Sequence, residues 1–260
     1  MESTRSSETA TPHQLIAMLE EREEHTEDLA LLASLGLDFL LRYKELRMRY
    51  LCAMKEIRTK FEVLSTELGV RNDRNPIAGI TTRLKSTTAI AEKLHRHGLE
   101  FTLTNIEDHL RDIAGVRVVC SYVDDIYMLA EALCTQKDVT VIQTKDYIRS
   151  PKPNGYRSLH LIVSVPVFFA DRALDIPVEV QIRTIAMDFW ATLEHEMRYK
   201  KPTKHSEEIA ERLRLCAETI AKTDLEMQSI RKEISSSSRP LTKEEELIRK
   251  IQTLDQPFLR

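Results

Sequence analysis

The chain is 260 residues long, 42% hydrophobic and 30% charged, with a formal net charge of −3. That length allows one sizeable core with short appendages, and the balance excludes both a disordered chain and one that coats nucleic acid. No apolar run approaches the roughly 18 residues of a membrane span, and the polar start MESTRSSETATP lacks a signal-peptide core, so the expected location is the cytoplasm.

Residues 1–12 are rich in Ser, Thr and Glu and read as disordered. Tyr50, Met54, Ile57, Phe61, Leu64 and Leu68 then alternate spacings of four and three, which puts one apolar stripe on a long helix that Gly69 is placed to end. A helix is expected over 81–97, followed by a β-branched strand, GVRVVCS (115–121), and a helix over 123–136 with Asp124 as its N-cap. Three further strands are VTVIQT (139–144), SLHLIVSV (158–165) and IPVEVQIR (176–183), before a helix over 184–199. Ile209, Leu213, Cys216, Ile220, Thr223, Met227, Ile230 and Ile234 mark a closing helix that the SSSSRP run breaks. Both stripes suit core packing or an oligomer seam, and neither sustains the heptads of a coiled coil. Strands that follow one another closely favour an α+β fold, a mixed β-sheet flanked by helices, over a doubly wound one. The segments are then 1–12, a helical region 13–80, the sheet domain 81–200 and a C-terminal helical extension 201–260.

The charge is spread unevenly. Residues 1–28 hold eight acids against two arginines, whereas Lys145–His160 holds four bases against Asp146 alone. A cation cluster in an acidic protein points to an anionic ligand. The four cysteines (Cys52, Cys120, Cys134 and Cys216) are far apart with no CxxC pair, which suits reduced thiols better than zinc or disulfides.

Phosphoryl and pyrophosphoryl transfer needs a hard cation such as Mg2+, held by oxygen ligands on rigid elements. Asp112 stands just before the strand GVRVVCS. In IPVEVQIR, alternation puts Val178, Val180 and Ile182 on one face and Glu179, Gln181 and Arg183 on the other. A solvent-exposed sheet face satisfies this pattern as well as an active-site floor does. Asp124 with Asp125, and Asp171 with Asp175, read as helix-start and turn residues.

The segment KDYIRSPKPNGYRSLH (145–160) gathers Lys145, Arg149, Lys152 and Arg157 around a Pro153-Asn154-Gly155 turn, beside Tyr156 and His160. Its cations suit phosphates, and Tyr156 suits stacking on a base. A solvated hairpin loop is the alternative. Arg83, Lys85 and Lys93 form a weaker cationic group. With no GxxxxGK[ST] or GxGxxG element, phosphate recognition falls to side chains.

Taken together, RLK (83–85), HLRDIAGVRVV (109–119), the 145–160 segment and VEVQIRTIAMDFWATLEHEMRYK (178–200) resemble the synthetase domain of the RelA/SpoT family. The FWATLEH run after the IRT is similar to the small alarmone synthetase branch. The resemblance implies a nucleotidyltransferase-like fold and transfer of the β,γ-pyrophosphate of ATP to the ribose 3′-hydroxyl of GTP or GDP. It implies Asp112 and Glu179 as Mg2+ ligands, Glu179 also accepting the hydroxyl proton. Arg83, Lys85 and Lys93 match ATP-side cations. Lys145, Lys152, Asn154, Tyr156 and His160 match the GTP-side loop, with Tyr156 stacking on guanine and Gln181 and Arg183 flanking the site. Synthesis without hydrolysis is expected, because the segment ahead of Arg83 is short and reads as helix, and a homotetramer is implied. Two rival readings are a non-catalytic nucleotide sensor, which has little reason to keep both acids, and an RNA-binding module. The acidic net charge and lack of an RNA-binding motif leave RNA binding as a secondary activity of the loop.

Overall fold

A computed structural model describes residues 12–72, 74–199, 206–237, 244, 247 and 248. Internal packing divides the chain into two units, residues 1–48 and 49–260. The first unit holds the beginning of helix α1 (Pro12–Arg71). The segment expected to be disordered lies outside the described residues except for Pro12, which opens α1 where a missing N–H costs no intrahelical bond.

In the second unit, α1 buries Tyr50, Met54, Ile57, Phe61 and Leu64, the stripe read from their spacing. There follow β1 (Ile77–Leu84), α2 (Thr87–Arg96), α3 (Leu103–His109), β2 (Ala114–Cys120), α4 (Val123–Cys134) and β3 (Thr140–Asp146). β4 (Leu159–Phe168), β5 (Ala173–Thr184), α5 (Ile185–Tyr199) and α6 (Ser206–Ser237) complete it. The strands form one sheet in the order β1-β2-β5-β4-β3. β2 and β5 run parallel and every other pairing is antiparallel, so the sheet is mixed.

Period-two alternation gives the sheet two unlike faces. Val116, Val118 and Cys120 of β2, Val178, Val180 and Ile182 of β5, and Leu159, Leu161 and Val163 of β4 are all buried. Burying each such aliphatic side chain contributes roughly 1.5–3 kcal/mol. α4 packs against β2 and β5, with Ile126, Leu129 and Leu133 wholly enclosed. The pairings Arg83 with Gly115, Gly115 with Glu179, Arg117 with Gln181 and Gln181 with His160 carry the polar residues to the opposite face. α5 packs against β5, β2 and α6. Its start is fixed by Thr184, whose hydroxyl accepts from Met187 N at 3.1 Å and donates to Asp224 of α6 at 2.5 Å.

Three local expectations change. Residues 81–84 belong to strand β1, not to a helix, and α2 begins only at Thr87, where the Ser86 hydroxyl accepts from Ala89 N. The N-cap of α4 is Tyr122, which has the extended backbone a cap needs, and it is Asp125 that reaches back to its N–H at 3.1 Å. α1 runs two residues past Gly69. Among the described residues no helix is long and apolar enough to cross a membrane.

Candidate active site

Asp112 lies in the turn before β2. The backbone bond from Lys85 N to Ile113 O, 2.8 Å, brings the end of β1 against that turn. Lys85 Nζ then donates to Asp112 Oδ2 at 2.5 Å, and Lys93 Nζ from the last turn of α2 lies 2.8 Å from Oδ1. Burial pushes the Asp112 pKa up, but hydrogen bonds and charge from the two ammonium groups outweigh it and hold the carboxyl below its ordinary value.

Glu179 projects from β5 into a closed ring of side chains. Its Oε1 is 3.2 Å from His160 Nδ1 and its Oε2 accepts from Gln181 Nε2 at 2.8 Å. His160 Nε2 meets the Tyr156 hydroxyl at 2.7 Å, which accepts from Arg183 Nη2 at 2.7 Å. Arg183 Nη2 also donates to Gln181 Oε1 at 2.6 Å, closing the ring. The donor order is self-consistent when Nδ1–H points at Glu179 and Nε2 accepts the tyrosine proton. Burial raises the Glu179 pKa, yet His160 and then Gln181 bring it below the ordinary carboxyl value against a smaller opposing push from Asp112. Burial likewise raises Tyr156, so its phenol stays protonated and can donate.

Asp112 and Glu179 line one cleft of about 340 Å³, with Thr81, Arg83, Lys85, Arg117 and Gln181 on its walls. The loop stands beside it. Asp146 orders the loop by accepting from Ile148 N and Arg149 N at 2.9 and 3.0 Å. Lys152 Nζ sits 4.7 Å and 5.0 Å from the ring centres of Tyr147 and Tyr156, a cation over two aromatic faces. Asn154 accepts from Tyr156 N and donates to Glu194 of α5, each at 3.2 Å.

The fold therefore brings Asp112, Lys85, Lys93, Arg83, Glu179 and Gln181 together at the cleft, and Tyr156, His160 and Arg183 at its edge. Lys145 is exposed on β3 opposite His160, outside the hydrogen-bonded ring. Arg149 lies 5.2 Å from the Tyr127 ring centre. Two residues were not singled out from the sequence. Arg117 lines the cleft, and Asp188 in the first turn of α5 lies 3.3 Å from Arg117 Nη1 and 3.2 Å from Arg183 Nη1. A lone arginine inside the β-branched run GVRVVCS was the available signal for the first. The second needs the tertiary fold.

Two ionised acids thus line a cationic cleft beside a basic, aromatic loop, a lining suited to a hard cation and phosphate groups. The chain matches the region found in RelA/SpoT proteins over residues 82–204. It is 42% identical to the GTP pyrophosphokinase YwaC of Bacillus subtilis over 185 residues, 71% of this chain and 88% of that one. The small alarmone synthetase 1 of B. subtilis bound to its product pppGpp superposes with a TM-score of 0.68 at 38% identity, covering 75% of this chain and 98% of the other. The same synthetase bound to AMPCPP gives a TM-score of 0.63 at 34% identity, covering 75% and 99%. The chain belongs to the RelA/SpoT family, among its small alarmone synthetases.

Proposed function

We propose that the chain is a GTP diphosphokinase that moves the β,γ-pyrophosphate of ATP onto the ribose 3′-hydroxyl of GTP or GDP, giving (p)ppGpp and AMP in the cytoplasm. The observation that carries this reading is the pair Asp112 and Glu179, both held ionised and both facing one cleft. The pppGpp and AMPCPP bound by the B. subtilis relative support a guanine and an adenine nucleotide as the two substrates.

Mg2+ takes one or two carboxylates completed by phosphates and water. Asp112 and Glu179 fit that demand, since both are charged oxygen donors of the same cleft, and these two residues would hold the ion. When bound, it neutralises charge on the phosphate oxygens. Arg83, Lys85, Lys93 and Arg117 bring positive charge to the ATP triphosphate. On the acceptor side, Tyr156 stacks on guanine, while Lys145, Lys152 and Asn154 meet the rest of the nucleotide. His160, Gln181 and Arg183 fix Glu179 and Tyr156 relative to each other. Glu179 takes the 3′-hydroxyl proton as the O3′–Pβ bond forms. The bond from Pβ to the α,β-bridging oxygen breaks, and that oxygen leaves on AMP.

A homotetramer is the proposed assembly, and RNA binding by the loop would be secondary to the reaction. Filter binding at varied salt separates those two activities. The test of the reaction is AMP production from ATP and GTP with Mg2+ by the wild type, Asp112→Asn and Glu179→Gln. Loss in both folded variants is expected, and robust turnover by both refutes the assignments.

A further inference from the structure

Helix α6 lies beyond the 82–204 region that defines the family, yet it bears directly on the acceptor loop. Gly155 has φ +90°, and a Cβ built there would lie 2.6 Å from Ala217 Cβ and 3.3 Å from Arg214 Cα. The loop backbone thus rests on the helix with room for nothing larger than hydrogen at 155. Arg157 brackets the same point, its Nη1 donating to Gly155 O at 2.9 Å and to Ala217 O at 3.2 Å. Ala217 is buried with Trp190 and Ala191, and Tyr156 packs on that cluster. α6 cannot readily give way, because Trp190 Nε1 donates to Leu213 O at 2.9 Å and Asp224 is tied to Thr184.

We propose that Ala217 is a positioning residue for the acceptor nucleotide: its short side chain sets the height of the 152–157 loop and so the plane of the Tyr156 ring. The inference rests on the pyrophosphate-transfer reading above. A longer side chain at 217 must displace Gly155, and Tyr156 follows because it is the next residue. The ATP-side cations come from β1, the turn that follows it, α2 and β2, which this movement leaves in place. Misplacing a substrate-orienting group by about 1 Å can cost up to about 100-fold in rate.

The test is steady-state AMP release with varied GTP and varied ATP for the wild type, Ala217→Leu, Arg157→Gln and Thr219→Leu, the last on the exposed side of α6. Ala217→Leu and Arg157→Gln are expected to raise the KM for GTP about tenfold while the KM for ATP changes less than about twofold. Thr219→Leu should match the wild type. An unchanged KM for GTP in the folded variants, or an equal rise in both KM values, overturns the proposal. Should Ala217→Leu fail to fold, Arg157→Gln, which adds no bulk at the contact, decides by the same criterion. A wild type that makes no AMP refutes the pyrophosphate reading instead. Calorimetric titration of GTP onto the same proteins then still reads the positioning claim: weaker binding by both variants supports it, and equal binding overturns it.

Discussion

His160 faces Glu179 with one ring nitrogen and Tyr156 with the other, at 3.2 and 2.7 Å, so removing the imidazole acts on the carboxylate and the loop together. Burial alone would raise the Glu179 pKa, and His160 is the foremost opposing influence. In the proposed reaction Glu179 is the general base and works only when ionised, so activity should be lost as pH falls through its pKa. In the wild type that acid limb of kcat/KM belongs below the ordinary 4.5 of a glutamate. His160→Ala should move it upward, and a pH profile with an unmoved limb would show that Glu179 is not the group being read. Glu179→Gln keeps the shape of the side chain but cannot accept the proton, so kcat should fall by about 10²–10⁴-fold with the thermal transition little changed. The two residues overlooked in the sequence, Arg117 and Asp188, share this scale. Burial and the neighbouring Arg183 charge push the Arg117 pKa down while Asp188 opposes them, so Asp188→Ala should weaken both halves of the site, seen as higher KM values for both nucleotides.

Among the elements, β5 shows how much was legible. Its alternation gives an apolar face against α4 and a polar face bearing Glu179, Gln181 and Arg183, and the register with β2 and β4 keeps them in line with Gly115, Arg117 and His160. The polar triplet inside a β-branched run was therefore visible without coordinates. β1 was not, because only Ile77 of its eight residues is buried, and an edge strand reading IAGITTRL lacks the apolar alternation of a core strand. α3, seven residues long, is too short to show a helical period. The closing helix was found, and Leu213 and Ile220 of its stripe pack on the Trp190 and Ala217 cluster, but the ends of the stripe do not. Ile209, Met227, Ile230 and Ile234 are exposed, while Ala217 and Asp224 are buried. Asp224 is the tie between α6 and β5, and burial raises its pKa with Thr184 opposing. A raised carboxyl pKa means that its ionisation costs stability as pH rises. Asp224→Asn should accordingly gain in melting temperature relative to the wild type between pH 4 and pH 8. Asp224→Ala leaves the buried Thr184 hydroxyl without this acceptor and should cost about 1–3 kcal/mol. A pH-independent difference for the asparagine variant would contradict this account of the tie.

For the whole molecule, apolar surface left outside the core bears on assembly. On α6, Leu225, Met227, Ile230 and Ile234 are exposed, and on the early part of α1 so are Leu37, Leu40 and Leu41. Apolar side chains exposed along a single helix suit association with further copies, and the proposed homotetramer predicts four times the chain mass by light scattering. Replacing Met227, Ile230 and Ile234 together by glutamate should shift the mass downward, and a wild-type monomer at micromolar concentration would contradict the tetramer. The reaction itself is tested most directly by incubating the purified chain with Mg2+, ATP labelled in its β- and γ-phosphates, and GTP or GDP, then separating the products. Equal amounts of AMP and of a guanine nucleotide carrying the label on its 3′-oxygen are predicted. Release of ADP with labelled orthophosphate, or no AMP at all, would contradict pyrophosphate transfer.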